Sequence, residues 1–289
     1  MKPFDYAAPS SLGEAGSLLA GNPGALLLAG GTDLIVQLRA GRKTTGLVID
    51  LKKIPELNEV RHDHASGLTF GAAVPCYRLY RDSAVAKAYP ALADVAALIG
   101  GIQIQGRASI GGNLCNAAPS ADAVPLLIAL KAACRIIGPS GERELAVEDF
   151  CAAPGKNTLQ PGELLVSLRV PPPAPRSGSH YLRFIPRNEM DIAVAGAGVS
   201  VTLDNGAFRS ARIALSSVAP TPLFVREAGE WLAGKPANED SVRRAAEMAK
   251  DAARPITDMR GTADYRKHLC AVLTRRALEA ALQSARGIQ

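Results

Sequence analysis

At 289 residues, with 47% hydrophobic and 21% charged side chains, the chain has the make-up of a folded globular protein long enough for two domains. Its net charge of +6 is spread along the sequence, and its densest basic stretch, residues 243–286, is interrupted by Glu247, Asp251, Asp258, Asp264 and Glu279; with aromatics at 4%, this excludes a basic nucleic-acid arm or a base-stacking platform. No apolar run reaches the roughly 18 residues of a membrane span, Met1-Lys-Pro-Phe-Asp-Tyr6 lacks a signal-peptide core, and Cys76, Cys115, Cys134, Cys151 and Cys270 contain no Cys-x-x-Cys, so a cytoplasmic protein without a disulfide framework, zinc site or iron–sulfur cluster of its own is expected.

In chain order, Ser11-x-x-Glu14 has the form of a capping box opening a short helix. Residues 25–29 form a compact apolar run bounded by glycines, a buried strand. Gly30-Gly31 turns the chain into a helix over residues 33–40, and residues 47–51 read as the next strand. Residues 68–74 follow as a strand and 90–99 as a helix with an apolar face. Residues 100–119 are so rich in Gly, Gln, Asn, Ser and Ala that an irregular, functional segment is expected there. An apolar helix over 123–130 comes next, then a hairpin of 133–137 and 142–146 around Gly138-Pro-Ser-Gly141. Pro171-Pro-Pro-Ala-Pro175 with Arg-Ser-Gly-Ser behind it is the linker candidate. Beyond it lie three strands, 181–185, 193–203 and 208–217, the last two joined by Asp204-Asn-Gly206. Helices over 223–233, 241–253 and 263–284 close the sequence. His62-x-His64 sits in a polar stretch and reads as solvated.

Two glycine pairs carry the chemistry. Ala29-Gly-Gly-Thr-Asp-Leu34 lies between a strand and a helix start, and Ile110-Gly-Gly-Asn-Leu-Cys-Asn-Ala-Ala-Pro119 lies in the amide-rich segment. Without a Cβ, backbone N–H groups can approach an anion closely. Neither loop is a Walker loop and neither completes Gly-x-Gly-x-x-Gly. Taken singly, the first reads equally well as a tight turn with Thr32 or Asp33 capping the helix; two such loops in one chain favour a nucleotide site. Asp122 reads as a helix N-cap or as an acceptor for cofactor hydroxyls. Arg183 and Arg187 suit a phosphate or a reduced cofactor, and the residues alone do not choose. Cys115 has no histidine near it in sequence and reads as a packed thiol.

Four stretches in this order resemble one family: Leu27-Leu-Ala-Gly-Gly-Thr-Asp-Leu34, Ala108-Ser-Ile-Gly-Gly-Asn-Leu-Cys-Asn-Ala-Ala-Pro-Ser-Ala-Asp122, Glu163-Leu-Leu-Val-Ser-Leu168 and Arg183-Phe-Ile-Pro-Arg-Asn-Glu-Met-Asp-Ile-Ala193. The tail Ala263-Asp-Tyr-Arg-Lys-His-Leu269 with Arg275-Arg-Ala-Leu278 adds to them. Together they resemble the FAD-binding medium subunits of molybdenum hydroxylases, of carbon monoxide dehydrogenase and xanthine dehydrogenase type. The resemblance implies an α+β fold of vanillyl-alcohol-oxidase (PCMH) type. Residues 1–173 would bind FAD in two α/β subdomains (about 1–57 and 58–173), and 179–289 would add a C-terminal domain with a three-stranded antiparallel sheet and helices. By the same resemblance Ala29, Gly30, Gly31, Thr32, Asp33 and Leu34, with Ser109, Ile110, Gly111, Gly112 and Asn113, would wrap the FAD pyrophosphate with backbone amides, and Leu27, Leu28 and Asn116 would also be cofactor-binding. Asp122 would bind the ribityl or adenosine side, Leu165 would pack near the adenine, and Arg183, where several relatives have lysine, would approach the flavin ring.

The implied role is electron transfer. Electrons come from [2Fe–2S] clusters of a small partner subunit, a large subunit holds the molybdopterin cofactor, and FAD passes the electrons to an external acceptor. A dimer of heterotrimers is implied, with no membrane span and no nucleic acid. No catalytic acid–base pair or metal ligand is expected in this chain, since the cofactor supplies the chemistry. A free-standing FAD-dependent dehydrogenase and a non-catalytic nucleotide-binding module are the other readings.

Overall fold

Three sheets and a two-stranded ribbon follow one another along the computed structural model, which describes residues 1–187 and 190–287. The first sheet holds β1 (Asp5–Ala7), β2 (Leu26–Leu28) and β3 (Leu47–Asp50) in the order β1-β3-β2, all parallel. Parallel neighbours need crossovers, and α1 (Leu12–Gly21) and α2 (Leu34–Arg39) lie in them. Ser11 caps α1 by accepting the Glu14 N–H at 3.2 Å, but the Glu14 carboxylate returns to the N–H of Ser10, at 2.8 Å, so the capping box is offset by one residue.

The second sheet contains β4 (Val60–Asp63), β5 (Gly67–Gly71), β6 (Ala133–Gly138), β7 (Gly141–Ala146) and, beyond the ribbon of β8 (Cys151–Ala153) and β9 (Lys156–Asn157), the central β10 (Leu164–Val170). Its order is β4-β5-β10-β6-β7, antiparallel throughout. Between β5 and β6 the chain makes six helices: α3 (Cys76–Arg81), α4 (Ser83–Ala88), α5 (Pro90–Ala96), α6 (Ile102–Gln105), α7 (Ile110–Cys115) and α8 (Ala123–Ala129). The segment 100–119, expected to be irregular, therefore carries α6 and α7. The reason is local: Ser109 accepts the Gly112 N–H at 3.0 Å as an N-cap, while Ile110 and Leu114 anchor α7 in the core.

In the third sheet β11 (Ser177–Phe184), β12 (Ala195–Asp204) and β13 (Ala207–Ser216) form the three expected strands, extended by the two-residue β14 (Leu223–Phe224). The β12–β13 turn has Asn205 at φ 47° and Gly206 at φ 80°, the left-handed pair that the Asn-Gly signal predicts. Strand β11 begins at Ser177, inside the expected linker. On this sheet lie α9 (Arg226–Leu232), α10 (Glu239–Ala252) and α11 (Ala263–Ala285); a Cβ on Gly178 would stand 2.0 Å from the Ala281 carbonyl, so α11 rests directly on β11.

Helix α8 joins the two halves. Every one of its residues is buried, because α5 and α7 with the core under the second sheet pack on one side and β12 and β13 on the other. A Cβ on Gly198 of β12 would come 2.6 Å from the Leu126 nitrogen, so the strand meets the helix backbone to backbone. The Arg212 guanidinium crosses the same seam, donating to the Ile128 carbonyl at 2.9 Å and pairing with Glu148 at 2.6 Å.

Candidate functional site

The loop after β2 and the loop that opens α7 are pressed together. A Cβ on Gly30 would stand 2.0 Å from the Arg107 carbonyl, and one on Gly111 would stand 2.4 Å from the Ala72 carbonyl. Gly31 adopts φ 78°, and a Cβ there would meet the Leu28 side chain at 2.8 Å. The glycine pairs thus serve close backbone approach as well as turning.

Beside this contact opens a cavity of about 950 Å³. Of the residues singled out in the sequence, Leu27, Ala29, Gly30, Gly31, Thr32, Asp33 and Leu34 line it from one side. Ser109, Gly111, Gly112, Asn113 and Asn116 line it from the other, and Leu165 lies on its apolar wall. Leu28 and Ile110 turn into the protein interior, at 8% and 1% exposure, and do not line it.

The amides along these loops are open. Among the described residues the N–H groups of Gly30, Gly31, Thr32, Asp33 and Leu34 donate to no protein acceptor, and neither do those of Ile110 and Gly111. Asp33 occupies the N-cap position of α2, but its side chain accepts no hydrogen bond there, so the capping alternative leaves these donors unused. Two side-chain acceptors at the wall, Gln37 Oε1 and Asn113 Oδ1, are also buried without a partner, while Gln37 Nε2 donates to Asn116 Oδ1 at 3.0 Å. Open amides and two orphaned acceptors facing one cavity suit a polar ligand.

Asp122 and Arg183 stand apart from the cavity wall and together. Arg183 Nη1 lies 2.6 Å from Asp122 Oδ2, with side chains 9% and 12% exposed, and Tyr181 donates its hydroxyl to Asp122 Oδ1 at 2.8 Å. Asp122 is at the N-cap position of α8, yet its carboxylate makes no cap; it faces β11 instead. Burial pushes this carboxyl above its ordinary range, opposed by the Arg183 guanidinium and the Tyr181 hydroxyl. Arg187 takes no part: it pairs with Asp191 at 2.6 Å on the surface. Asn188 and Glu189 of the same motif lie outside the described residues.

Several wall residues carried no sequence signal. Leu19 and Asn22 come from the end of α1, Lys43 follows α2, and Asn157, Leu159 and Gln160 come from the ribbon and the approach to β10. Only the fold assembles them. Cys115 also reaches the wall, but burial pushes its thiol up to about 12 and that of nearby Cys151 up to about 11, which disfavours the nucleophilic thiolate at neutral pH. A thiol reagent at pH 8 is accordingly expected to label the folded chain slowly and all five cysteines after unfolding; fast stoichiometric labelling of the native protein would contradict this burial.

Comparison with known proteins adds two family models and close structural relatives. The model described as FAD binding domain in molybdopterin dehydrogenase matches residues 2–173, and that described as CO dehydrogenase flavoprotein C-terminal domain matches residues 180–281. The xanthine dehydrogenase FAD-binding subunit of Escherichia coli O157:H7 is 33% identical over 288 residues, covering 98% of this chain and 99% of the relative. The carbon monoxide dehydrogenase medium chain of Hydrogenophaga pseudoflava is 34% identical over 280 residues, with 96% of each covered. Among solved structures, reconstituted CO dehydrogenase from Oligotropha carboxidovorans superposes with a TM-score of 0.93 at 33% identity, over 97% of this chain and 98% of that one. Quinoline 2-oxidoreductase from Pseudomonas putida 86 gives 0.91 at 31%, over 99% of both.

Proposed function

The chain belongs to the FAD-binding medium-subunit family of the molybdenum hydroxylases, and from that membership we propose that it holds one FAD in the 950 Å³ cavity and relays electrons within a heteromeric oxidoreductase. Residues 29–34 and 109–113 would hold the FAD pyrophosphate between them. What supports this is the row of open amides on two glycine loops held in backbone contact over one cavity. The donor set suits an anion: successive N–H groups on one side, Ile110 and Gly111 on the other. Leu165, with Leu27 and Leu159, offers the apolar surface for an adenine, and the amide row of Gln37, Asn113 and Asn116 suits sugar hydroxyls. Asp122 and Arg183 serve the flavin end, where Asp122 holds the guanidinium in place.

When bound, FAD supplies exchange between one-electron carriers and a two-electron acceptor. The chain's own residues fix its position, keep solvent from the pyrophosphate and provide the local field; none is asked to move a proton. In the assembled complex the electrons would come from [2Fe–2S] clusters of a small subunit and, before them, from the molybdenum cofactor of a large one. We place the assembly, a dimer of heterotrimers, in the cytoplasm; no helix among the described residues is long and apolar enough to cross a membrane.

An absorption spectrum of the purified complex, followed by heat release and chromatography of the flavin, tests this directly. Released FAD near one per chain is expected. A complex that neither carries nor takes up flavin in excess FAD would sink the reading.

A further inference from the structure

The glycine loop is held from behind by two cations that lie outside the cofactor motifs. Lys52 Nζ donates to the Ala29 carbonyl at 3.2 Å, and Arg107 Nε donates to the Gly30 carbonyl at 3.3 Å. Lys52 is itself fixed, with Nζ 2.6 Å and 2.7 Å from the two Asp50 oxygens, and Tyr6 donates its hydroxyl to the same carboxylate at 2.5 Å. Arg107 is fixed differently: its own carbonyl is the atom that a Cβ on Gly30 would strike. Backbone and side chain of Arg107 therefore embrace the same glycine.

In a trans peptide the C=O and N–H point in opposite directions. The Ala29 carbonyl, drawn toward Lys52, aims the Gly30 N–H the other way; the Gly30 carbonyl, drawn toward Arg107, does the same for the Gly31 N–H. Both of these N–H groups lack a protein acceptor among the described residues, and both glycines line the cavity. Gly30 and Gly31 have no side chain to restrict their rotation, so without an external hold their peptides could flip and present carbonyls to an anion. A carbonyl facing a pyrophosphate would repel it.

We infer that Lys52 and Arg107 are positioning residues: they pin the Ala29 and Gly30 carbonyls outward so that the Gly30 and Gly31 amides stay aimed at the cofactor's pyrophosphate. The inference rests on the functional reading above and adds to it a source for the loop's preorganisation. Neither side chain needs to touch the cofactor. Their positive charge behind the loop also strengthens the field at the amides.

The test uses the full chain and three probes: FAD, ADP (pyrophosphate without flavin) and riboflavin (flavin without phosphate). Arg107→Ala and Lys52→Met are compared with wild type by titration and by thermal unfolding. Each variant is expected to bind FAD and ADP about 5–10-fold more weakly, and the double variant more weakly still. Riboflavin affinity should hardly move in either variant, and melting temperature should hardly move in Arg107→Ala. Lys52→Met, which leaves the buried Asp50 carboxylate without its cation, should melt lower, so its effect is read as loss of FAD and ADP beyond any loss of riboflavin. Arg107→Lys should recover part of the loss. Unchanged FAD affinity in both single variants would overturn the inference. An equal loss for riboflavin would do so as well, since it would mean general collapse of the site. If wild-type chain takes up neither FAD nor ADP, the functional reading fails first and this one with it.

Discussion

Gly112→Val is expected to abolish FAD binding while the chain remains folded, and Gly111→Val is expected to damage the fold. The two neighbours differ in what a side chain would meet. At Gly112 a Cβ finds only Ser109 Oγ, at 3.0 Å, and otherwise open space; the residue lines the cavity, so the valine methyls enter the volume assigned to the pyrophosphate. At Gly111 a Cβ would lie 2.4–2.7 Å from the Ala72 oxygen, Cα and Cβ, where backbone must move. Overpacking of that kind costs about 1–3 kcal/mol or more. For Gly112→Val, a loss of at least about a hundred-fold in FAD affinity is expected, roughly 2.8 kcal/mol at 1.4 per factor of ten, with far-ultraviolet circular dichroism unchanged. Fluorescence titration with FAD reads the first quantity and a melting curve the second. Full retention of FAD by Gly112→Val would remove this loop from the site.

Much of this architecture was legible because its signals are local. Asn205-Gly206 announces the β12–β13 turn, and the apolar run at 123–130 announces a helix buried on all sides. The glycine pairs read as places where backbone amides could approach an anion; that Gly30 and Gly111 also sit in close backbone contact with Arg107 and Ala72 is something only the fold shows. What stayed hidden is what only distance in sequence creates. Lys43, Asn157 and Gln160 are unremarkable polar residues until three separate segments converge on one wall. Helix α7 was missed because Gly111-Gly112 and Asn113 score poorly as helix formers; a single turn capped by Ser109 and anchored by Ile110 and Leu114 overrides that preference. The pairing of Asp122 with Arg183 joins residues from the two halves of the chain, and neither position alone could reveal it.

That pair carries the second large effect. Asp122→Ala leaves the Arg183 guanidinium buried without its carboxylate and the Tyr181 hydroxyl with only Ser216 Oγ, 3.4 Å away. Breaking a buried pair by removing one partner costs about 3–5 kcal/mol, so a melting-temperature drop of roughly 6–15 °C is expected for a chain of this size. Asp122→Asn should cost less, because the amide keeps an oxygen for Tyr181 or for Arg183 and is not penalised by burial as the charge is. Removing both charges in Asp122→Ala/Arg183→Met should recover part of the stability lost in Asp122→Ala, since no uncompensated cation remains. Stability and cofactor binding then separate: the double variant, though restored in part as a fold, should still bind FAD weakly, because the guanidinium at the flavin end is gone. Urea denaturation and FAD titration on the four proteins give both answers. Wild-type FAD affinity in the double variant would show that the pair only fastens β11 to α8 and does not serve the cofactor.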